Sequence, residues 1–198
     1  MISASAHTPS VIEAAANGTA CIETLQEARG KQVWYSLSHG ALEYATPDSD
    51  FQGLLFLNGE GVTVGDLTPL NLDYRLVLID ACSGAKTTSD TIEGARNNNS
   101  LAEEVMNFAD AFGDHSAYVG WAWTMNPGVS QPLMAEFLSK LKYDNENKFT
   151  PSVAYAHAKF QQEKADTQNS EIIKAARLLK IYGAEALQNK IDLIGGKK

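Results

Sequence analysis

The stretch "RLVLIDACSG" at 75–84 constrains this chain more than any other. Its apolar core is too short for an ordinary helix and lacks the two-residue alternation of a strand with one wet face. An unbroken run of this kind fits a strand covered on both sides, as in a parallel sheet flanked by helices. It ends on residues that carry chemistry, an acid at Asp80 and a thiol at Cys82, with Gly84 close behind. An earlier run, "VWYSLS", has the same β-prone continuity and stops on His39 and Gly40. "SAYVGWAW" at 116–123 is a third such run, broken by "TMNPG", and "LLKIYG" reads as a last strand.

Helical patterns fall between these strands. Ser10 and Glu13 form a capping box ahead of Val11, Ala15, Gly18, Ile22 and Leu25, whose spacing predicts an amphipathic helix ending near Gly30. Ser100 and Glu103 form a second box, ahead of the stripe Leu101, Val105, Phe108 and Phe112. A short helical piece is expected around Asp66–Leu72, and longer helices over about 129–142 and 151–164, the latter with Thr150 as cap and Pro151 in its first turn. A further helical pattern, "IIKAAR", precedes the last strand. "GLLFLNGEGVTV" holds Asn58-Gly59 between two apolar runs, a hairpin signal marking a small excursion from the main sheet. Strands alternating with helices give an α/β fold with a mostly parallel central sheet, and 198 residues suit one domain.

Composition narrows the function classes. A formal net charge of −8 supplies no basic footprint, so nucleic acid and anionic membrane are not expected partners, while a cationic partner is tolerated. No apolar run reaches the length of a membrane span, and "MISASAHTP" lacks the basic flank and apolar stretch of a secretory signal, so a cytoplasmic protein is expected. Two cysteines, Cys21 and Cys82, stand in different contexts and make no disulfide framework; both are expected reduced.

In sheets of this type, chemistry collects at the carboxyl ends of the strands. If the strands ending at His39 and Cys82 are neighbours, their axes lie about 5 Å apart, close enough for imidazole and thiol to meet. A thiol attacks as thiolate, so an imidazole within reach supplies the base, and later the acid for a leaving amine. Glycines beside each allow a substrate to approach backbone N–H groups that can stabilise an oxyanion. A strand-end cysteine or a lone histidine more often packs than reacts. The two together, each after an apolar strand and each near a glycine, point to nucleophilic catalysis.

From "SLSHG" through "GLLFLNGEGVTVGDLTPLNLDYRLVLIDACSG" to "SAYVGWAWTMNPGVSQPLMAEFLSKL", the chain resembles the caspase-like (clan CD) cysteine peptidases, in particular their CHAT domain branch. The likeness covers roughly 30–165, with a weaker trace in "IYGAE" at 181–185. It implies a three-layer sandwich and a thiol protease, with His39 as general base, Cys82 as nucleophile, and the Gly40 and Cys82 amides as oxyanion donors. "DAC" is similar to the Asp-x-Cys of metacaspases and clostripain-like peptidases, which implies that Asp80 lines the pocket for an Arg or Lys before the scissile bond. Asp80 and Cys82 lie two apart and so share a strand face. The competing reading has Asp80 capping a neighbouring loop or pairing with an arginine. The superfamily usually has a strand before its first helix, where this chain has only "MISASAHT"; the expectation is a very short first strand, or one left on another piece of chain.

Other residues follow from that frame. The polar stretch 83–99 is long for a connection, and Arg96 within it is a candidate self-cleavage point. Trp121, Trp123 and Met125 stand where they could wall the substrate groove just beyond the third strand; of the two tryptophans, one is expected in the groove and the other in the core. His7, His115 and His157 carry no zinc-site spacing. Asp48, Asp50 and Asp90 could bind calcium, as in some metacaspases, but scattered carboxylates on an acidic protein are usually solvated, so no cofactor is expected. The expected partners are a protein or peptide substrate and a regulatory or sensor protein. The rival reading is a catalytically silent caspase-like scaffold or interaction module.

Overall fold

The computed structural model describes residues 33–44, 51–57, 60–72, 74–82, 108–112, 115–123, 125–183 and 186–190. Its strands are β1 (Val33–Leu37), β2 (His39–Tyr44), β3 (Phe51–Leu57), β4 (Glu60–Val62), β5 (Leu76–Asp80), β6 (Ala117–Trp121) and β7 (Leu179–Tyr182). Its α-helices are α1 (Val64–Leu67), α2 (Pro127–Lys140), α3 (Val153–Ala165) and α4 (Ser170–Arg177).

Every residue of β5 and of β6 is buried, which explains the absence of alternation in their sequences. Successive side chains still point to opposite faces. Val77 and Ile79 join Tyr118 in a core with Leu67, Leu70 and Phe112, contributed by the segments 62–74 and 108–112. Leu76 and Leu78 join Val119 and Trp121 in a second core, under Leu133, Met134 and Phe137 of α2 and Phe160 of α3. The chain is therefore a mixed α/β protein whose inner strands β5 and β6 are covered on both faces, whereas β1, expected from its continuous β-prone run to be covered likewise, lies at the sheet edge and leaves Tyr35 and Leu37 exposed. The strand order is β1-β5-β6-β7, with β1, β5 and β6 parallel and β7 antiparallel to β6.

The second sheet, β2-β3-β4, is antiparallel. β3 and β4 pair on either side of residues 58–59, with Leu57 opposite Glu60, so the expected hairpin is present; the Asn-Gly turn itself lies outside the described residues. β2 was not expected. His39 does not simply follow β1 but opens a new strand, His39 opposite Phe56, after the chain leaves the central sheet at Ser38.

Local signals set the helix starts. Thr63 and Asp66 make a reciprocal capping box at α1, and their hydrogen bonds hold the Asp66 carboxyl below its usual range. Asn126 caps α2 with Pro127 as its first residue, two positions earlier than the sequence suggested. At α3 the cap is Ser152, not Thr150: its hydroxyl accepts the Tyr155 N–H at 3.2 Å, and Pro151 lies ahead of the helix rather than in its first turn. Asn169 caps α4, and the chain then passes into β7 as read. Phe108–Ala111 is a 3-10 turn, while the capping boxes at Ser10 and Ser100 lie outside the described residues. No helix among the described residues is long and apolar enough to cross a membrane.

Candidate functional site

β1 and β5 are neighbours running the same way, with Leu37 opposite Asp80 and the Ser38 N–H donating to the Asp80 carbonyl at 3.3 Å. The two strand ends reach the same rim of the sheet. A cavity of about 260 Å³ opens there. Ser38 and His39 line it from the first strand end, Asp80 and Cys82 from the second, and Met125, Pro127 and Ser130 from the start of α2. Residues of both strand ends, His39 and Cys82 among them, thus line one cavity at that rim.

Gly40 has a specific packing reason. A Cβ at this position would run into the Cys82 carbonyl oxygen, and would stand 3.1 Å from the Cys82 carbonyl carbon and 3.3 Å from the Ala81 Cβ. Only glycine lets the backbone that follows His39 lie against the backbone at Cys82. Gly84 lies outside the described residues.

Cys82 is half-buried and free. Its sulfur meets the main chain just ahead of α2: the Met125 N–H donates to Sγ at 3.5 Å, and the thiol donates to the Met125 carbonyl at 3.7 Å. Both distances are ordinary for sulfur, which is a weak donor and a weak acceptor, so the contacts orient the thiol at little energetic cost to its release.

Asp80 is 3% exposed. The Trp121 indole N–H donates to its Oδ1 at 2.7 Å, and the Tyr35 hydroxyl reaches its Oδ2 at 3.5 Å. Burial, the Asp80 charge and this hydrogen bond push the Tyr35 phenol up to about 12, so it is a neutral donor throughout the physiological range. Among the described residues no lysine or arginine forms an ion pair with Asp80. Neither reading of Asp80 from sequence anticipated two aromatic donors.

Trp121, one of the two candidate substrate-binding tryptophans, is fully buried and is not among the residues that line the pocket, so it is the core member of the pair. The reason is register: it stands beside Asp80 on the helix-covered face, where its ring fills the core under α2. Trp123 is half-buried and is not part of the pocket lining. Arg96, Asp48, Asp50, Asp90, Cys21 and His7 lie outside the described residues. Among those described, no three His, Cys, Asp or Glu side chains gather as a metal site requires. His157 is structural: Nε2 lies 3.0 Å from the Leu179 carbonyl, so that ring nitrogen carries the proton and donates.

The sequence reading named Met125 as a groove wall, and it lines the pocket; it missed Tyr35 and Ser130. Tyr35 left no local signal, because its partner is distant in the chain. Ser130 did leave one, as a polar residue at the head of the apolar stripe Leu133, Met134, Phe137. The chain matches no protein-family model, and no curated protein matches it significantly.

Proposed function

We propose that this protein is a cysteine endopeptidase of caspase-like, CHAT-related fold that cleaves after Arg or Lys. The observation carrying this reading is the convergence of His39, Cys82 and Asp80 on one pocket between neighbouring parallel strand ends. In the proposed reaction His39 takes the thiol proton as sulfur bonds to the substrate carbonyl carbon, and the electron pair passes to the carbonyl oxygen. The amides of Gly40 and Cys82 stabilise that oxyanion. The C–N bond then breaks, the proton on His39 goes to the leaving amine, and water hydrolyses the thioester with the same base.

Asp80 supports the preference for a basic residue. Asp80 is a buried carboxyl group whose hydrogen-bond donors among the described residues, Trp121 and Tyr35, are both neutral, and a cationic side chain entering the pocket would supply a compensating charge. Arg96 is the corresponding self-cleavage point. A free thiol suits a reducing compartment such as the cytoplasm, and a regulatory or sensor protein would control access. The rival reading, a silent caspase-like scaffold, draws on the engagement of the Cys82 sulfur by Met125.

Fluorogenic peptides ending in Arg, Lys or Asp, assayed with reductant and with or without calcium, separate these readings. Cleavage after Arg or Lys that disappears in Cys82→Ala and in His39→Ala supports the peptidase; undiminished turnover in either variant removes it. No cleavage by the wild-type chain favours the scaffold.

A further inference from the structure

Two apolar stripes face each other across the helix-covered side of the central sheet, and each becomes polar at the same end. On β5 the series is Leu76, Leu78, Asp80. On α2 it is Ser130, Leu133, Met134 and Phe137, the spacing of one helix face, and all four are buried. The two polar members, Asp80 and Ser130, both line the pocket.

Ser130 is 5% exposed. Its backbone N–H donates to the Asn126 carbonyl at 2.9 Å, but its hydroxyl has no hydrogen-bond partner among the described residues. No side-chain oxygen or nitrogen among those residues is fully enclosed without a partner, so this hydroxyl opens onto the pocket. This hydroxyl interrupts a stripe that an aliphatic side chain would extend, and it faces a cavity where a ligand can pair with it. A ligand group that completes it accounts for its presence.

We propose that Ser130 and Asp80 together form a guanidinium-selective subsite. The proposal rests on the peptidase reading for its biological meaning, and adds to it the preferred head group and a second recognition residue. The carboxylate is an acceptor only, and of its roughly four lone-pair sites one on Oδ1 takes the Trp121 N–H at 2.7 Å and one on Oδ2 faces the Tyr35 hydroxyl at 3.5 Å. A guanidinium presents five donors in a rigid fork, more than the remaining sites can satisfy. The Ser130 hydroxyl supplies a second acceptor from the helix side of the same cavity. An ammonium is a compact point charge with three rotatable donors, and takes what it needs from Asp80 and water. Ser130 therefore discriminates Arg from Lys.

The test uses the full chain carrying Cys82→Ala, titrated calorimetrically with a blocked tripeptide ending in arginine amide and with its lysine counterpart. Arginine is expected to bind about tenfold tighter. Adding Ser130→Ala should bring the two within about twofold of each other, chiefly by weakening arginine. Adding Asp80→Asn should abolish binding of both. Ser130→Ala should melt no lower than its parent, because alanine is the better helix former and an unpaired hydroxyl is lost. An arginine preference that survives Ser130→Ala, an equal affinity for the two peptides, no binding of either, or a lowered melting temperature overturns the proposal. If the wild-type chain cleaves nothing while the Ser130-dependent preference persists, the peptidase reading falls and the subsite stands. If it cleaves and the preference ignores Ser130, the subsite falls alone.

Discussion

The Trp121 indole N–H donates to Asp80 Oδ1 at 2.7 Å, tying a fully buried ring in the core to a carboxylate on the pocket wall. The bond joins β6 to β5 at the rim where the strands end. It holds one lone pair of Oδ1 and so orients the carboxylate in the pocket wall, which makes a core residue part of the pocket's geometry.

Trp121→Phe should therefore damage both stability and recognition. The smaller ring leaves a void, and Asp80 loses its shorter hydrogen bond, for a combined cost of about 2–4 kcal/mol. Urea unfolding measures it; a loss under about 0.5 kcal/mol, the range of a neutral surface change, would show that neither the packing nor the bond matters.

Gly40→Ala introduces a Cβ into the space held by the Cys82 carbonyl. Backbone rather than a flexible side chain blocks it, so the two strand ends must separate, at about 1–3 kcal/mol. Thermal unfolding should report that loss, and the rate of Cys82 alkylation by iodoacetamide should change with it. Unchanged values for both would contradict the close approach described above.

Cys82→Ala should lower peptide hydrolysis by at least about a thousandfold while leaving the melting temperature within a few degrees, because the sulfur makes only weak hydrogen bonds. A thermal melt and a fluorogenic assay on the same preparation check both. Loss of folding together with activity would leave Cys82 a packing residue.

His157 sets a pH dependence that is independent of the pocket. Burial draws its imidazole below the ordinary 6.5, the Leu179 carbonyl bond opposes that shift, and the Lys180 charge adds to it. The unfolded chain then takes up the proton first as pH falls, so stability is full above about 6.5 and declines as pH drops below it toward the folded value. The slope from this one group is at most about 1.4 kcal/mol per pH unit. His157→Gln keeps an amide donor for Leu179 and removes the titration, so the decline just below pH 6.5 should flatten. An unaltered slope would assign it to other groups.

Much of the fold was legible in one dimension because burial on two faces erases alternation. "LVLI" and "AYVG" could be read as covered strands without knowing their neighbours, whereas the caps at Thr63, Asn126 and Asn169 were recognised only from the backbone geometry. The Ser152 cap was misplaced by two residues because Thr150 and Ser152 offer the same hydroxyl, and only backbone geometry chooses between them. β2 was missed because "HGALEY" gains its strand character from pairing with β3. Pairing of that kind is context, not propensity.

The amino-acid order alone determined that His39 and Cys82 follow β-prone runs, that glycine stands beside the first, and that an acid precedes the thiol by two residues. These are properties of adjacent residues, and short-range sterics and hydrophobicity suffice to express them. Which strands are neighbours, which tryptophan is core, and which donors hold Asp80 were decided only when the chain closed on itself. Tyr35, Asp80 and Trp121 come from three separate strands, and Ser130 from a helix after them. Contacts between segments so far apart depend on register and packing, which no local stretch encodes.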